Sequence, residues 1–378
     1  MPRSVVHLTP ILHGGPGHAV AELACAQRAA GDDVLVVASA TGTFGYHNHP
    51  DLLNRLHSAK VAILVEDSLF DGAPALHQRV LAQLRRVRHA DHVDVLHAHA
   101  AVPAAIALGF ASDAAVRRPL VVQTQHGWHA RTSDDARHEL ELLNAVDTVI
   151  VTSTATRDFL TSTGVAPDRV TVIPAGLPPH APRPLPAAVA TMKKIRGAGR
   201  VVVGCLGPVT ENNNQALLLR ALGLESARAI HAVLIGEGGE SLESRARELG
   251  VADRVHVIGA QREAETWIGL FDAVVVPSRV ARQEIIVLEA FRAGIPVVAS
   301  NIPTLRELVT DYDTGWLFES DDARSLATAL GRATSIRREI RDRIVDAAAR
   351  KFLAGYTTEV MVARYTALYD RVAGLLGR

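Results

Sequence analysis

Short β-branched runs alternate with longer stretches of helical period almost from end to end of this chain. In the front half Ser4–Leu8, Asp33–Ala38, Val93–His97, Pro119–Thr124, Thr148–Thr152 and Val170–Ile173 read as strands. Between the first two, Val20, Leu23, Ala24 and the stretch from Gln27 to Ala30 fall on related faces of a helix that Gly31 ends. Near-continuous apolar strands separated by helices predict parallel sheets with crossover helices, an α/β class.

The pattern then breaks. LPPHAPRPLPAAVA, from Leu177 to Ala190, carries five prolines and no period, and reads as a linker. Behind it the alternation restarts, with strands at Arg200–Cys205, His231–Ile235, Val255–Ile258, Ala273–Val276 and Ile295–Ala299. Helical patterns fill Asn214–Leu224, Ser241–Leu249 and Val287–Ala293, and the C-terminal end is mostly helical. At 378 residues the chain exceeds the usual single core, so two domains are expected, 1–180 and 195–355, followed by a helix over 356–378. Doubly wound domains bind ligands in loops past the carboxyl ends of their strands, so chemistry is sought there.

Composition narrows the class. Hydrophobic residues make up 48% and charged ones 21%, with forty basic side chains against forty acidic. No global field favours nucleic acid or an anionic membrane, and neither is expected as a partner. Cys25 and Cys205 sit in apolar segments and suggest buried thiols, not a disulfide framework. The opening MPRSVVHLTPIL is too interrupted for a signal peptide, and no apolar run reaches the roughly 18 residues of a membrane span. The expected location is cytoplasmic, without stable membrane insertion.

Four loops stand out. His13-Gly14-Gly15-Pro16-Gly17-His18 follows the first strand and opens a helix, where glycines permit close backbone approach and free N–H groups suit an anion, although it misses the dinucleotide fingerprint. His126, in Gln123-Thr124-Gln125-His126-Gly127-Trp128, sits past a strand end, placed for hydrogen bonding or proton transfer. His97 and His99 alternate on one strand face and His47 and His49 flank an asparagine. A zinc site needs three or four convergent ligands and no cysteine pair supports one, so no metal is expected. The third loop, Leu206 to Asn214, carries no Lys or Arg and is equally a capped turn. The fourth, Pro277-Ser278-Arg279 onward, leads into a helix near Ile285, so the Ile285 and Ile286 amides are candidates to face a ligand. Glu289, a turn further on, is either an acceptor for sugar hydroxyls or a salt-bridge partner.

Together HGGPGHAVAELA, DVLHAHA, TQHGWHA, TVIVTS with VTVIPAG, VVPSR, VLEAFRAGIPVVAS and TLRELVTDYDTGWLF resemble retaining glycosyltransferases of family 4 over nearly the whole chain. The resemblance implies the GT-B fold, two facing Rossmann-like domains with a C-terminal helix crossing back. It implies transfer of a sugar from a nucleoside-diphosphate sugar to an acceptor hydroxyl with retained configuration, without a cofactor or metal. On it, Gly14 and Gly15 face the donor diphosphate and sugar, His126 contacts the donor sugar, and Glu289 holds the ribose hydroxyls. The acceptor, a small molecule or glycoconjugate, is expected on the N-terminal domain near Gly42–Asp51 or Asp67–Pro74.

The departures matter as much. The family's diphosphate-gripping Arg and Lys, in GRLxxxKG, fall on Pro208 and Asn213. The EGFG loop falls on Ala281-Arg282-Gln283-Glu284, so its first carboxylate is Ala281. A preorganised contact to developing charge is worth about 2.7–4 kcal/mol, and Arg282 or Arg279 is the candidate replacement. Ala281 suits a deoxy or branched donor sugar, often carried on thymidine diphosphate in bacterial natural-product assembly. The alternatives are a non-catalytic GT-B scaffold or binding protein and a sugar-nucleotide epimerase of the same fold.

Overall fold

The computed structural model describes residues 2–10, 12, 14–38, 49–66, 74–87, 92–113, 117–126, 133–197, 199–280 and 284–375. The chain divides into two compact units, Met1–Gly176 with Thr358–Arg378, and Leu177–Thr357.

The first unit is built on seven parallel strands: β1 (Ser4–Thr9), β2 (Asp33–Ala38), β3 (Ala62–Val65), β4 (Val95–Ala98), β5 (Leu120–Gln125), β6 (Thr148–Val151) and β7 (Val170–Val172). Their order is β3-β2-β1-β4-β5-β6-β7, reversing direction at β1, as in doubly wound sheets. One face carries Val6, Leu8, Leu96, Ala98 and Val121 into one core, and the other carries Val5, Val95, Leu120 and Val122 into a second. Burial on both faces explains why these strands read as apolar runs, not as alternations. The C-terminal helix, Thr358–Leu375, covers the second face with Met361, Tyr365, Leu368, Tyr369 and Val372, spaced at three and four residues.

The second unit has six parallel strands: β8 (Val201–Leu206), β9 (Ile230–Ile235), β10 (Val255–Gly259), β11 (Ala273–Val276), β12 (Val297–Ser300) and β13 (Trp316–Phe318), ordered β10-β9-β8-β11-β12-β13. The chain enters and leaves this unit at adjacent points, where the Leu177 N–H donates to the Tyr356 carbonyl at 3.0 Å.

Two readings of the pattern are revised. The proline-rich stretch is not a linker throughout: Pro186–Arg196 is a helix, opened by a proline at its first position, where the missing N–H costs nothing. Its Ala188, Met192 and Ile195 pack into the second unit's core. The edge strands β3 and β13 escape the pattern because they are short, and β3 is only partly covered.

Candidate active site

In the first unit the site grows from strand register. β1 and β4 are parallel neighbours with His7 opposite His97, so both imidazoles project from the same face as Val5 and Val95. His99 follows β4, and its N–H donates to the Leu8 carbonyl at 3.0 Å, which brings it beside β1. His126 follows β5 directly, at the carboxyl edge of the sheet.

Four rings join in one cluster. His7 Nδ1 lies 3.1 Å from His99 Nε2, and His99 Nδ1 lies 3.1 Å from His126 Nε2. His97 stacks on His99 with ring centroids 4.2 Å apart. Around them, His7 Nε2 meets Gln27 Oε1 at 2.7 Å, His97 Nε2 meets Thr124 Oγ1 at 2.7 Å, and the Tyr369 hydroxyl meets His97 Nδ1 at 2.9 Å. Burial pushes His7 down to about 4 against the opposing effect of its Gln27 hydrogen bond; burial, helped by neighbouring histidines, lowers His97 and His99 well below the ordinary histidine value. These three rings are therefore neutral at physiological pH.

The ligand nitrogens of His7, His97 and His99 lie within 4.8 Å of one another, the spacing of a metal cage. All six nitrogens, however, already have partners within the protein, and metal entry would break several of those bonds. The arrangement is that of a hydrogen-bonded chain. The cavity bordered by His99, His126, Thr124 and Tyr365 measures about 10 Å³, room for at most one water. A larger cavity of about 640 Å³ borders Arg169, Thr171 and Arg371, at the amino ends of β6 and β7 and so opposite the edge that carries His126.

Of the glycines singled out in the sequence, Gly14 has φ +60° at the first residue of the helix Gly14–Ala29, and Gly15 is half-buried beside it. At Gly17 sterics demand a glycine: a Cβ there would sit 2.6 Å from the Leu12 carbonyl carbon.

In the second unit the helix Glu284–Arg292 follows β11, with Ile285 and Ile286 half-buried against the core. Glu289, 9% exposed, is ion-paired to Arg292: Nε and Nη2 donate to the same carboxylate oxygen at 3.0 and 2.5 Å. Arg292 Nη1 also donates to the Pro178 and His180 carbonyls at 3.3 and 3.4 Å. Arg282 and Ala281 lie outside the described residues.

Pro208 and Asn213, which stand at the family's cation positions, hold their own loop together. Asn213 Nδ2 donates to the Pro208 carbonyl at 2.8 Å, and Gln215 Nε2 caps the Gly207 and Pro208 carbonyls at 3.1 and 2.9 Å. Asn214, where the family's segment ends in glycine, has φ +56°, a conformation asparagine tolerates better than most residues. The neighbouring loop approaches so closely that a Cβ on Gly236 would lie 2.0 Å from the Gly207 oxygen. Arg279, a candidate replacement cation, is held by Asp321 Oδ1 at 2.7 Å and Glu211 Oε1 at 3.3 Å.

Residues not singled out by the sequence reading are His7, Gln27, Tyr369 and Arg292. His7 had a signal, a polar residue at a core-facing position of the apolar run SVVHLT. Gln27 and Tyr369 had none, because their meeting depends on how two helices pack on one sheet face.

The fold is that of GT-B glycosyltransferases. A glycosyltransferase from Rickettsia africae superposes with a TM-score of 0.82 over 98% of each chain, at 15% identity. Anabaena HepE, solved with UDP and glucose, superposes with a TM-score of 0.80 over 97% of this chain and 99% of that one, at 19% identity. Residues 13–181 match Glycosyltransferase Family 4 and residues 200–335 match Glycosyl transferases group 1. The chain belongs to this glycosyltransferase family. It is similar to a GDP-mannose-dependent α-(1-6)-phosphatidylinositol monomannoside mannosyltransferase of Mycolicibacterium smegmatis, 29% identical over 67% of this chain and 70% of that protein. It is also 28% identical to a D-inositol 3-phosphate glycosyltransferase of Thermobispora bispora over 51% of this chain, a match spanning about half (49%) of that relative. Among the described residues no helix is long and apolar enough to cross a membrane.

Proposed function

We propose that the protein transfers a sugar, with retained configuration, from a nucleoside-diphosphate sugar to a hydroxyl of a small-molecule or glycoconjugate acceptor. The observation that carries this reading is His126 at the carboxyl edge of β5, its ring held by His99 at 3.1 Å, an oriented imidazole at the edge where such sheets bind ligands. Glu289, aligned by its ion pair with Arg292, is suited to accept ribose hydroxyls. Gly14 and Gly15 admit the donor closely. With neither Arg nor Lys at positions 208 and 213, the diphosphate is left to backbone amides, those of Ile285 and Ile286 among them, and to Arg282. No cofactor or metal is assigned to the reaction.

For the sugar, Ala281 in place of a carboxylate supports a deoxy or branched donor, such as one carried on thymidine diphosphate. The relative named for GDP-mannose supports mannose instead. Thermal unfolding with uridine, thymidine, guanosine and adenosine diphosphates separates these, because a ligand at 100 times its Kd stabilises by about 2.7 kcal/mol. A shift with the thymidine nucleotide supports the first donor and a shift with the guanosine nucleotide the second. Product analysis with the matching donor sugar then tests transfer. A binding role without transfer is favoured by one observation, the commitment of Arg279 to Asp321 and Glu211, and it is the reading left if none of the four nucleotides shifts the transition.

A further inference from the structure

We propose that Gln27 fixes the tautomer of His126 through two intervening histidines, so that the proton of the His126 ring sits on Nε2 and Nδ1 is left as the acceptor. Gln27 is a positioning residue in this account: it touches His7, not the substrate. The inference deepens the transferase reading, since its consequence for catalysis rests on His126 facing the donor.

The argument is one of counting protons. Gln27, His7 and His99 are 1%, 0% and 7% exposed, so water does not supply their hydrogen bonds. A neutral imidazole has one N–H and one bare nitrogen. The chain Gln27–His7–His99–His126 has three links, of 2.7, 3.1 and 3.1 Å, and each ring of His7 and His99 uses both nitrogens in it. Once the first link has a direction, every later one follows. The Gln27 oxygen can only accept, so His7 donates from Nε2 and its Nδ1 must accept. His99 then donates from Nε2 to His7 and accepts at Nδ1, and the donor to that nitrogen is His126 Nε2–H.

The direction of the chain is set by which end of the Gln27 amide meets His7. The structure places Oε1 there, 2.7 Å from Nε2. A reversed amide would turn every link of the chain and place the His126 proton on Nδ1, so the proton position on His126 reads the orientation of an amide two rings away.

The test is two-bond proton–nitrogen correlation NMR on the full chain labelled with nitrogen-15 histidine, near neutral pH, with His126 assigned from the spectrum of His126→Asn. The wild type is expected to show His126 as the Nε2–H tautomer. Gln27→Glu, whose carboxylate still accepts from His7, is expected to keep it. Gln27→Leu, and independently His7→Leu, is expected to lose the single tautomer. An Nδ1–H tautomer in the wild type, or an unchanged single tautomer in folded Gln27→Leu, overturns the proposal. The wild-type measurement needs no variant to fold. The transferase reading fails separately: a correct proton order in a protein that binds none of the four nucleoside diphosphates leaves this inference standing and removes that one.

Discussion

Arg292 grips Glu289 from one helical turn away, with Nε at 3.0 Å and Nη2 at 2.5 Å from a single carboxylate oxygen, and both side chains are nearly buried. An arginine three residues along a helix is normally a weak surface partner. Here burial changes the stakes, because removing Arg292 takes the paired cation away from a nearly buried carboxylate. Arg292→Ala is expected to destabilise the second unit by about 3–5 kcal/mol, read as a lower denaturant midpoint. Arg292→Lys, with a point charge in place of the fork, is expected to recover only part of this. An unchanged midpoint in Arg292→Ala would mean that the pair contributes only what an exposed one does.

The loop after β8 offers a gain-of-function test. Asn213 and Gln215 both donate to the Pro208 carbonyl, so replacing Asn213 leaves that oxygen covered. Pro208→Arg with Asn213→Lys restores two cations at the family's positions. A charge-assisted hydrogen bond contributes about 1.5–3 kcal/mol, so nucleoside diphosphate is expected to bind at least about tenfold tighter, most visibly at low salt. Calorimetry that shows no gain would place the diphosphate away from this loop.

How much of this was legible beforehand depended on whether a feature is local. β1, β2, β5 and β8 announced themselves because a strand buried on both faces is a continuous apolar run. β13, three residues long, and β3, with partly exposed residues, carry too little signal. Pro186 concealed a helix because proline is read as a breaker although it is at home in a first turn. His126 and Glu289 were accessible from their places after strands and from the family resemblance. The pairing of His97 with Tyr369 was not, since 272 residues separate them and only tertiary packing brings them together. Nor was the commitment of Arg279 to Asp321, 42 residues away, legible from the basic residue alone.

Asn214 carries two separable contributions. Its backbone is left-handed, and its side chain donates to Asp321 Oδ1 at 2.9 Å, the oxygen that Arg279 also holds. Asn214→Gly keeps the conformation and loses the bond, at an expected cost of about 1 kcal/mol. Asn214→Ala loses the bond and strains the backbone, adding about 1–2 kcal/mol. Denaturant midpoints ordered wild type, glycine, alanine are expected. An alanine variant as stable as the glycine one would show that the loop relaxes out of the left-handed region.

The buried histidines set an acid limit on the first unit. His7 takes up a proton at about pH 4 when folded and near 6.5 when unfolded, because burial disfavours the charged ring. Between those values the unfolded chain binds the extra proton, so stability rises with pH there. The contribution is complete above about 6.5 and is lost as pH falls toward 4. At 1.36 kcal/mol per unit this single residue accounts for about 3 kcal/mol, and His97 and His99, lowered by the same cause, act in the same direction. Unfolding of the first unit is therefore expected to become steeply easier from pH 6.5 down to pH 4, measured by urea midpoints at a series of pH values. A variant such as His7→Gln, which cannot titrate, is expected to flatten that slope by the share His7 supplies. A slope unchanged in folded His7→Gln would show that the acid sensitivity comes from other groups, and that His7 is solvated enough to charge without unfolding.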